Sequence, residues 1–276
     1  MLIFLPIIFS GNLFNLSFLI KTIIGFIALC FVSSSQYIIN DIKDIEKDKA
    51  HPEKKYRQIA SGKIGKFPAF LISLFLLVLS LSISYKLNWS FTITVISLFL
   101  ISIVYTFLLK NIIIADVLTI SINFVLRAAS GAFLIGVSIS SWLILGIFFL
   151  ALFLVIGKRH AELLFLGKKA EKIRKTLTGY TKELTMALMI IATTLLVMCY
   201  ALYSFFSIHK GLIITIPFAL YTIFKYFIFV LKGDKIARYP EKAITNLHLV
   251  LGSFLWTTTT FLIIYKDPIL KLIGLS

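Results

Sequence analysis

The sequence predicts an all-α fold, a polytopic transmembrane helical bundle of about nine helices with the first one shortened. Three observations lead there. Of 276 residues 59% are hydrophobic and 14% charged, where a soluble domain averages roughly 45–50% and 25%. One globular core cannot hide that much apolar surface, so lipid is the solvent for most of the chain. The apolar residues also fall in runs of about 20, the length a helix needs to cross roughly 30 Å of hydrocarbon and far longer than a barrel strand.

Taken in order, the full spans are 17–39, 67–85, 89–109, 114–136, 140–157, 183–207, 211–231 and 245–265. Residues 1–9, MLIFLPIIF, would rise only ~14 Å as a helix and read as the second half of a span whose beginning is missing. No basic region precedes that run and no small-residue cleavage site follows it, which argues against a signal peptide. No soluble domain, low-complexity linker or repeat interrupts the chain, so 1–276 reads as one integral-membrane domain.

The net charge of +16 and the pI near 9.8 do not indicate nucleic-acid binding, because the basic residues are sorted by loop rather than gathered on a soluble face. Residues 41–66 and 158–182 carry eight Lys or Arg each, and 232–242 adds Lys232, Lys235, Arg238 and Lys242. Positive-inside counting puts these three loops in the cytoplasm, the expected setting being a multi-pass protein of the bacterial cytoplasmic membrane with attraction to anionic lipids. Composition also excludes a disordered chain and a secreted disulfide framework. Cys30 and Cys199 each sit inside an apolar run and read as packing residues.

Loop charge explains the lysines but not the acids. Five of the twelve acidic residues fall between Asp41 and Glu53, in NDIKDIEKDKAHPEKKYRQIASGKI from Asn40. Asp41, Asp44 and Asp48 are spaced three and four apart, so a helix continuing through them projects all three from one side. Carboxylates crowded this way repel unless a cation sits among them, and hard oxygens without His or Cys favour Mg²⁺. Mg²⁺ typically takes one or two carboxylates and completes its shell with water and phosphate oxygens. His51-Pro52 should end or redirect the helix, and Lys54, Lys55 and Arg57 beyond it suit a phosphate or pyrophosphate. The alternative is a solvated juxtamembrane helix with i, i+4 salt bridges.

Two further groups are polar where lipid disfavours polarity. Asn123 and Arg127 each lie within about 20° of Asp116 around a helix; an ionisable stripe inside a span lines a cavity or meets protein partners. Arg127 is either a ligand-facing group or a structural partner of Asp116 or of backbone carbonyls. Tyr105 and Lys110 lie at the same rim. After the span at 140–157 come Lys158, Arg159 and Glu162, with Arg159 and Glu162 three apart and so neighbours on a helix. This is either a phosphate contact oriented by an acid or a membrane-flanking ion pair. His160 lacks a second His or Cys at ligand spacing and is not expected to bind metal.

The pattern Asn40-Asp41-x-x-Asp44-x-x-x-Asp48 resembles the first aspartate-rich motif of the UbiA superfamily of intramembrane prenyltransferases. The continuation is similar to its polyprenyl-phosphate (decaprenyl-phosphate) phosphoribosyltransferase branch. The matching stretches are HPEKKYRQIASG from His51, YTFLLK from Tyr105, INFVLRAASGAF from Ile122, GKRHAEL from Gly157, LTGYT from Leu177 and PFALYTIFKY from Pro217. Gln58 stands where that branch usually has Pro, Asn246 where an Asp is expected, and the chain begins after the branch's opening basic segment. A prenyl-pyrophosphate transferase of the superfamily carries a second Asp-rich loop, but residues 158–182 contain no Asp.

The resemblance implies a transferase that moves 5-phosphoribosyl from 5-phosphoribosyl 1-pyrophosphate to a polyprenyl phosphate, releasing pyrophosphate, with Mg²⁺ as cofactor. It implies Asp41, Asp44 and Asp48 as the metal-holding catalytic residues. Asn40, Lys54, Arg57, Tyr105, Lys110, Arg127, Lys158, Arg159, Glu162 and Tyr180 are implied as substrate-binding. The expected partners are the phosphoribosyl donor, the lipid acceptor and membrane lipids, with a homo-oligomer admitted and nucleic acid excluded. The rival readings are a prenyltransferase acting on an aromatic acceptor, which needs the missing second motif, and a transporter, which should show inverted repeats.

Overall fold

The computed structural model describes residues 2–50, 54–166 and 179–272. Among them every regular element is helical, and eight helices are long and apolar enough to span a bilayer. The His51-Pro52 helix break and the basic residues Lys168 to Lys175 fall outside the described residues. Contacts divide the chain into two compact units, 1–138 and 139–276.

The first unit comprises α1 (Leu5–Phe9), α2 (Leu16–Lys43), α3 (Ile45–Ala50), α4 (Lys66–Leu87), α5 (Trp89–Phe107) and α6 (Ala115–Ile135). Side-chain oxygens start two of the spans. Asn15 accepts from Phe18 N–H to begin α2, and Asn88 accepts from Ser90 and Phe91 N–H to begin α5, answering donors that no helical partner can satisfy. Gly136, at φ 70°, closes α6 in the left-handed conformation. Residues 2–9 form a 3₁₀ turn and α1, and Ile3 and Ile7 there are fully buried among Ala28, Val32, Phe91, Val95 and Leu134.

In lipid there is little hydrophobic drive between helices, so small residues and hydroxyls set the approach. Ser80 Oγ donates to the Ala28 carbonyl at 2.7 Å, and the Ser35 and Ser73 hydroxyls meet at 2.9 Å, joining α2 to α4. Gly131 lets α6 lie against the carbonyl of Ile3; a Cβ there would collide with that oxygen. Phe70, Phe75 and Val78 of α4 are more than half exposed, which suits a face turned to lipid.

The second unit comprises α7 (Ser141–Leu166), α8 (Lys182–Phe206), α9 (Ile216–Leu231), α10 (Lys235–Arg238), α11 (Leu247–Ile264) and α12 (Lys266–Leu272). Thr181 caps α8 by accepting from Leu184 N–H, and Asn246 caps α11 by accepting from Leu249 N–H. Asn and Asp are nearly equivalent N-caps, so the departure at Asn246 preserves the turn. Tyr200 gathers a hydrogen bond from Trp256 Nε1 at 2.6 Å and pairs with Thr215 Oγ1, tying α8 to α11 and to the turn before α9.

Candidate active site

The end of α2 sets the geometry of the acidic cluster. Helical hydrogen bonding does not stop there: Asp44 N–H donates to Asn40 O at 2.9 Å and Asp48 N–H to Asp44 O at 2.8 Å. Asp44 is the one-residue break between α2 and α3, so Asp41, Asp44 and Asp48 keep close to the spacing of a continuous helix. Asp48 is buried, while Asp41 and Asp44 are partly exposed.

Among the described residues, Arg57 and Lys110 form ion pairs with the three carboxylates. Arg57, in the loop between α3 and α4, donates from one nitrogen, Nη1, to Asp41 Oδ1 at 2.6 Å and to Asp48 Oδ2 at 3.0 Å. Lys110, just beyond α5, donates to Asp44 Oδ1 at 2.6 Å and to Asn40 Oδ1 at 3.3 Å. Unit charges about 4 Å apart interact by roughly 4 kcal/mol at an effective dielectric near 20, so without these partners the carboxylates would oppose the helical spacing that groups them. Lys110 is buried; the Arg57 side chain is 42% exposed.

The three aspartates do not converge on one point. Asp41 and Asp48 share a single cationic atom, whereas Asp44 is directed to Lys110. Among the described residues no group of three or more His, Cys, Asp or Glu could hold a metal unaided. Two hard carboxylates already focused on one positive charge do fit Mg²⁺, which commonly takes one or two protein carboxylates and leaves other positions to water and phosphate. Lys54 lies exposed in the Arg57 loop, and Tyr105 is partly buried on α5.

Deeper along α2, Ser33 is seven residues before Asn40 and on the same stripe. Its hydroxyl accepts from Arg127 Nη1 of α6 at 2.8 Å. Arg127 thus pairs with a hydroxyl on α2, a partner that the polar stripe of α6 alone could not reveal; the i, i+7, i+11 series Ser33, Asn40, Asp44 was the available signal. Asp116 is completely buried, and Asn123 Oδ1 is buried with no hydrogen-bond partner among the described residues.

The second unit carries its own polar group on α7. Arg159 Nη1 donates to Glu162 Oε2 at 3.2 Å, one turn on, as their spacing predicts, and Arg159 is buried. Lys158 is partly buried beside it. His160 Nδ1 lies 2.8 Å from Thr185 Oγ1 of α8, a contact between helices of this unit. Tyr180 is buried immediately before the Thr181 cap.

A model of the UbiA prenyltransferase family matches residues 3–264. The chain belongs to the UbiA prenyltransferase family. This UbiA chain is 35% identical over 185 residues to the decaprenyl-phosphate phosphoribosyltransferase of Mycolicibacterium smegmatis, a match covering 67% of this chain and 58% of that protein. It is 33% identical over 198 residues to the protein of the same name from Corynebacterium glutamicum, covering 71% and 60%. The chain therefore spans about three fifths of the length of these curated relatives. Its fold is that of a UbiA homologue from Archaeoglobus fulgidus bound to DMAPP and Mg²⁺, with a TM-score of 0.72 at 20% identity over 95% of each chain. The same family includes that homologue bound to Cd²⁺, so divalent metals occur in structures of the family. The all-α membrane fold and the family read from the motifs are both found, and the chain is an integral multi-pass membrane protein.

Proposed function

We propose that this UbiA protein is a polyprenyl-phosphate phosphoribosyltransferase: it transfers 5-phosphoribosyl from 5-phosphoribosyl 1-pyrophosphate to a polyprenyl phosphate and releases pyrophosphate. The observation that carries the reading is the pairing of Asp41 and Asp48 on one positive charge beside the buried Asp44–Lys110 pair, in a chain whose curated relatives bear that activity as their name. The proposal treats residues 1–276 as one transferase domain, set in the bacterial cytoplasmic membrane with its basic loops in the cytoplasm.

The chemistry asks little of a general base. A phosphate monoester is already an anion at neutral pH, and one of its oxygens forms the new bond to ribose C1 as the bond from C1 to the pyrophosphate oxygen breaks. The difficulty is charge on the departing pyrophosphate. Mg²⁺, when bound by Asp41 and Asp48 with Asp44 alongside, supplies neutralisation of that charge. Lys54 and Arg57 bind diphosphate oxygens, the guanidinium through paired donors. Lys110 holds Asn40 and Asp44 in place from the buried side. Arg127, Lys158 and Arg159 are assigned to phosphate groups, Glu162 to orienting Arg159 or accepting from a ribose hydroxyl, and Tyr105 and Tyr180 to substrate contacts. The acceptor's apolar tail stays in lipid.

Donor identity follows from the acids that are missing as well as those present: residues 158–182 contain no Asp, against a second metal-binding motif for a prenyl pyrophosphate. Purified protein given radiolabelled 5-phosphoribosyl 1-pyrophosphate and decaprenyl phosphate should move label into the organic-extractable lipid. Label that stays aqueous, with transfer from a prenyl pyrophosphate to an aromatic acceptor instead, would overturn the assignment.

A further inference from the structure

The two cations at the acidic cluster differ in a way that bears on how the site fills. Lys110 is buried and closed on both Asn40 and Asp44. Arg57 sits on a loop with its side chain 42% exposed, and it reaches Asp41 and Asp48 through Nη1 alone, so Nε and Nη2 are not committed to either carboxylate. One cation is fixed and the other is free to leave.

Arg57 also stands where a metal would have to go. Its Nη1 lies 2.6 and 3.0 Å from oxygens of Asp41 and Asp48, while Mg²⁺ binds oxygen at about 2.1 Å. A nitrogen and an ion that both need the space between the same two oxygens exclude each other, and their like charges add to the exclusion. Asp48 is buried on α3 and cannot swing away; the exposed arginine can.

Building on the metal–diphosphate reading above, we infer that Arg57 is the internal counter-ion of Asp41 and Asp48, and that it is exchanged from them onto the diphosphate when a metal enters. The exchange makes metal and diphosphate binding interdependent. A bare divalent ion must expel Arg57 into water, losing two charge-assisted hydrogen bonds. An ion arriving with a diphosphate offers the guanidinium a new bidentate partner at the moment it is displaced. Arg57 then selects the metal–diphosphate complex over the metal alone, and no bond is made or broken in the swap other than hydrogen bonds and metal–oxygen contacts.

Binding of Mn²⁺, followed by electron paramagnetic resonance on the full-length protein in detergent with and without inorganic pyrophosphate, tests this directly. In the wild type, pyrophosphate should tighten Mn²⁺ at least roughly tenfold, and Mn²⁺ should tighten pyrophosphate by the same factor, as linkage requires. Arg57→Gln should bind bare Mn²⁺ about tenfold more tightly than the wild type and lose most of the enhancement by pyrophosphate. A purely structural arginine would do the opposite, weakening metal binding when removed. Arg57→Lys, which can still place one charge between the carboxylates, should keep bare Mn²⁺ affinity near the wild-type value. If Mn²⁺ and pyrophosphate bind the wild type independently, or if Arg57→Gln is no tighter for bare Mn²⁺, the exchange is wrong while the metal site stands. If the wild type takes up no Mn²⁺ even with pyrophosphate, the metal–diphosphate reading itself falls.

Discussion

Lys110 Nζ lies 2.6 Å from Asp44 Oδ1, joining two residues 66 positions apart in sequence at the ends of different helices. Both side chains are largely withdrawn from solvent, at 9% and 18% exposure, so neither charge has much water to fall back on. Removing one partner of a buried pair costs more than removing both. Lys110→Met should therefore lower stability by about 2–3 kcal/mol, short of the full buried-pair penalty because Asp44 keeps some water. The double variant Asp44→Asn/Lys110→Met should recover more than half of that loss. Thermal denaturation of the four proteins of the cycle in one detergent measures both; additive losses would show that the pair is not coupled.

Transfer should require a divalent ion. Chelation with EDTA should abolish activity, and Mg²⁺ should restore it while Na⁺ at matched ionic strength does not. Asp41→Ala should lower turnover by at least about 10²-fold, the scale of losing one charge-stabilising group, with normal membrane expression. Turnover of that variant within a few-fold of the wild type would remove Asp41 from the metal site.

The close approach of the first turn to α6 separates two glycines that sequence treats alike. A Cβ on Gly131 meets the backbone carbonyl of Ile3, which cannot rotate away, whereas a Cβ on Gly25 meets the Leu134 side chain end at 2.5 Å. Gly131→Ala should cost about 3 kcal/mol and Gly25→Ala about 1, the two ends of the usual overpacking range. Melting temperatures of the purified variants rank them.

Ile114 is the only described non-glycine residue with positive φ, at 68°. Ala115 N–H reaches back to the Ile113 carbonyl at 2.8 Å across it, the geometry of a classic γ-turn that is rare and strained. A β-branched residue is poorly suited to it. Since the side chain is 42% exposed, Ile114→Gly gives up little burial and should raise stability by about 1 kcal/mol, at the low end of the strain such a position stores. A lower melting temperature would show that contacts of the side chain outweigh the strain.

Much of the fold was legible because a bilayer imposes one period and one length on any chain crossing it. All eight expected spans are found, displaced by a few residues at their ends; α2 and α7 run past their apolar stretches, to Lys43 and Leu166, because helical hydrogen bonding does not need lipid to continue. Residues 1–9 were expected to be a half-span, and Ile3 and Ile7 are as buried as any core residue. Spacing also gave the Arg159–Glu162 pair, since residues three apart on a helix cannot avoid one another.

The sequence by itself determined that this chain is a helical membrane protein with an aspartate-rich end to α2, because length, hydropathy and i, i+3, i+4 spacing are local properties; the UbiA family was legible only through the resemblance of its motifs. Only the tertiary structure decided which cation answers which carboxylate. Arg57 could have paired within its own loop, Lys110 with an acid nearer in sequence than Asp44, and Arg127 with anything at its depth; the partners found for them lie on other elements. Arg57 meets Asp41 and Asp48, Lys110 meets Asp44, and Arg127 meets Ser33. Those choices depend on how α2, α5 and α6 pack, and packing among helices in lipid is set by contacts between residues far apart in the chain.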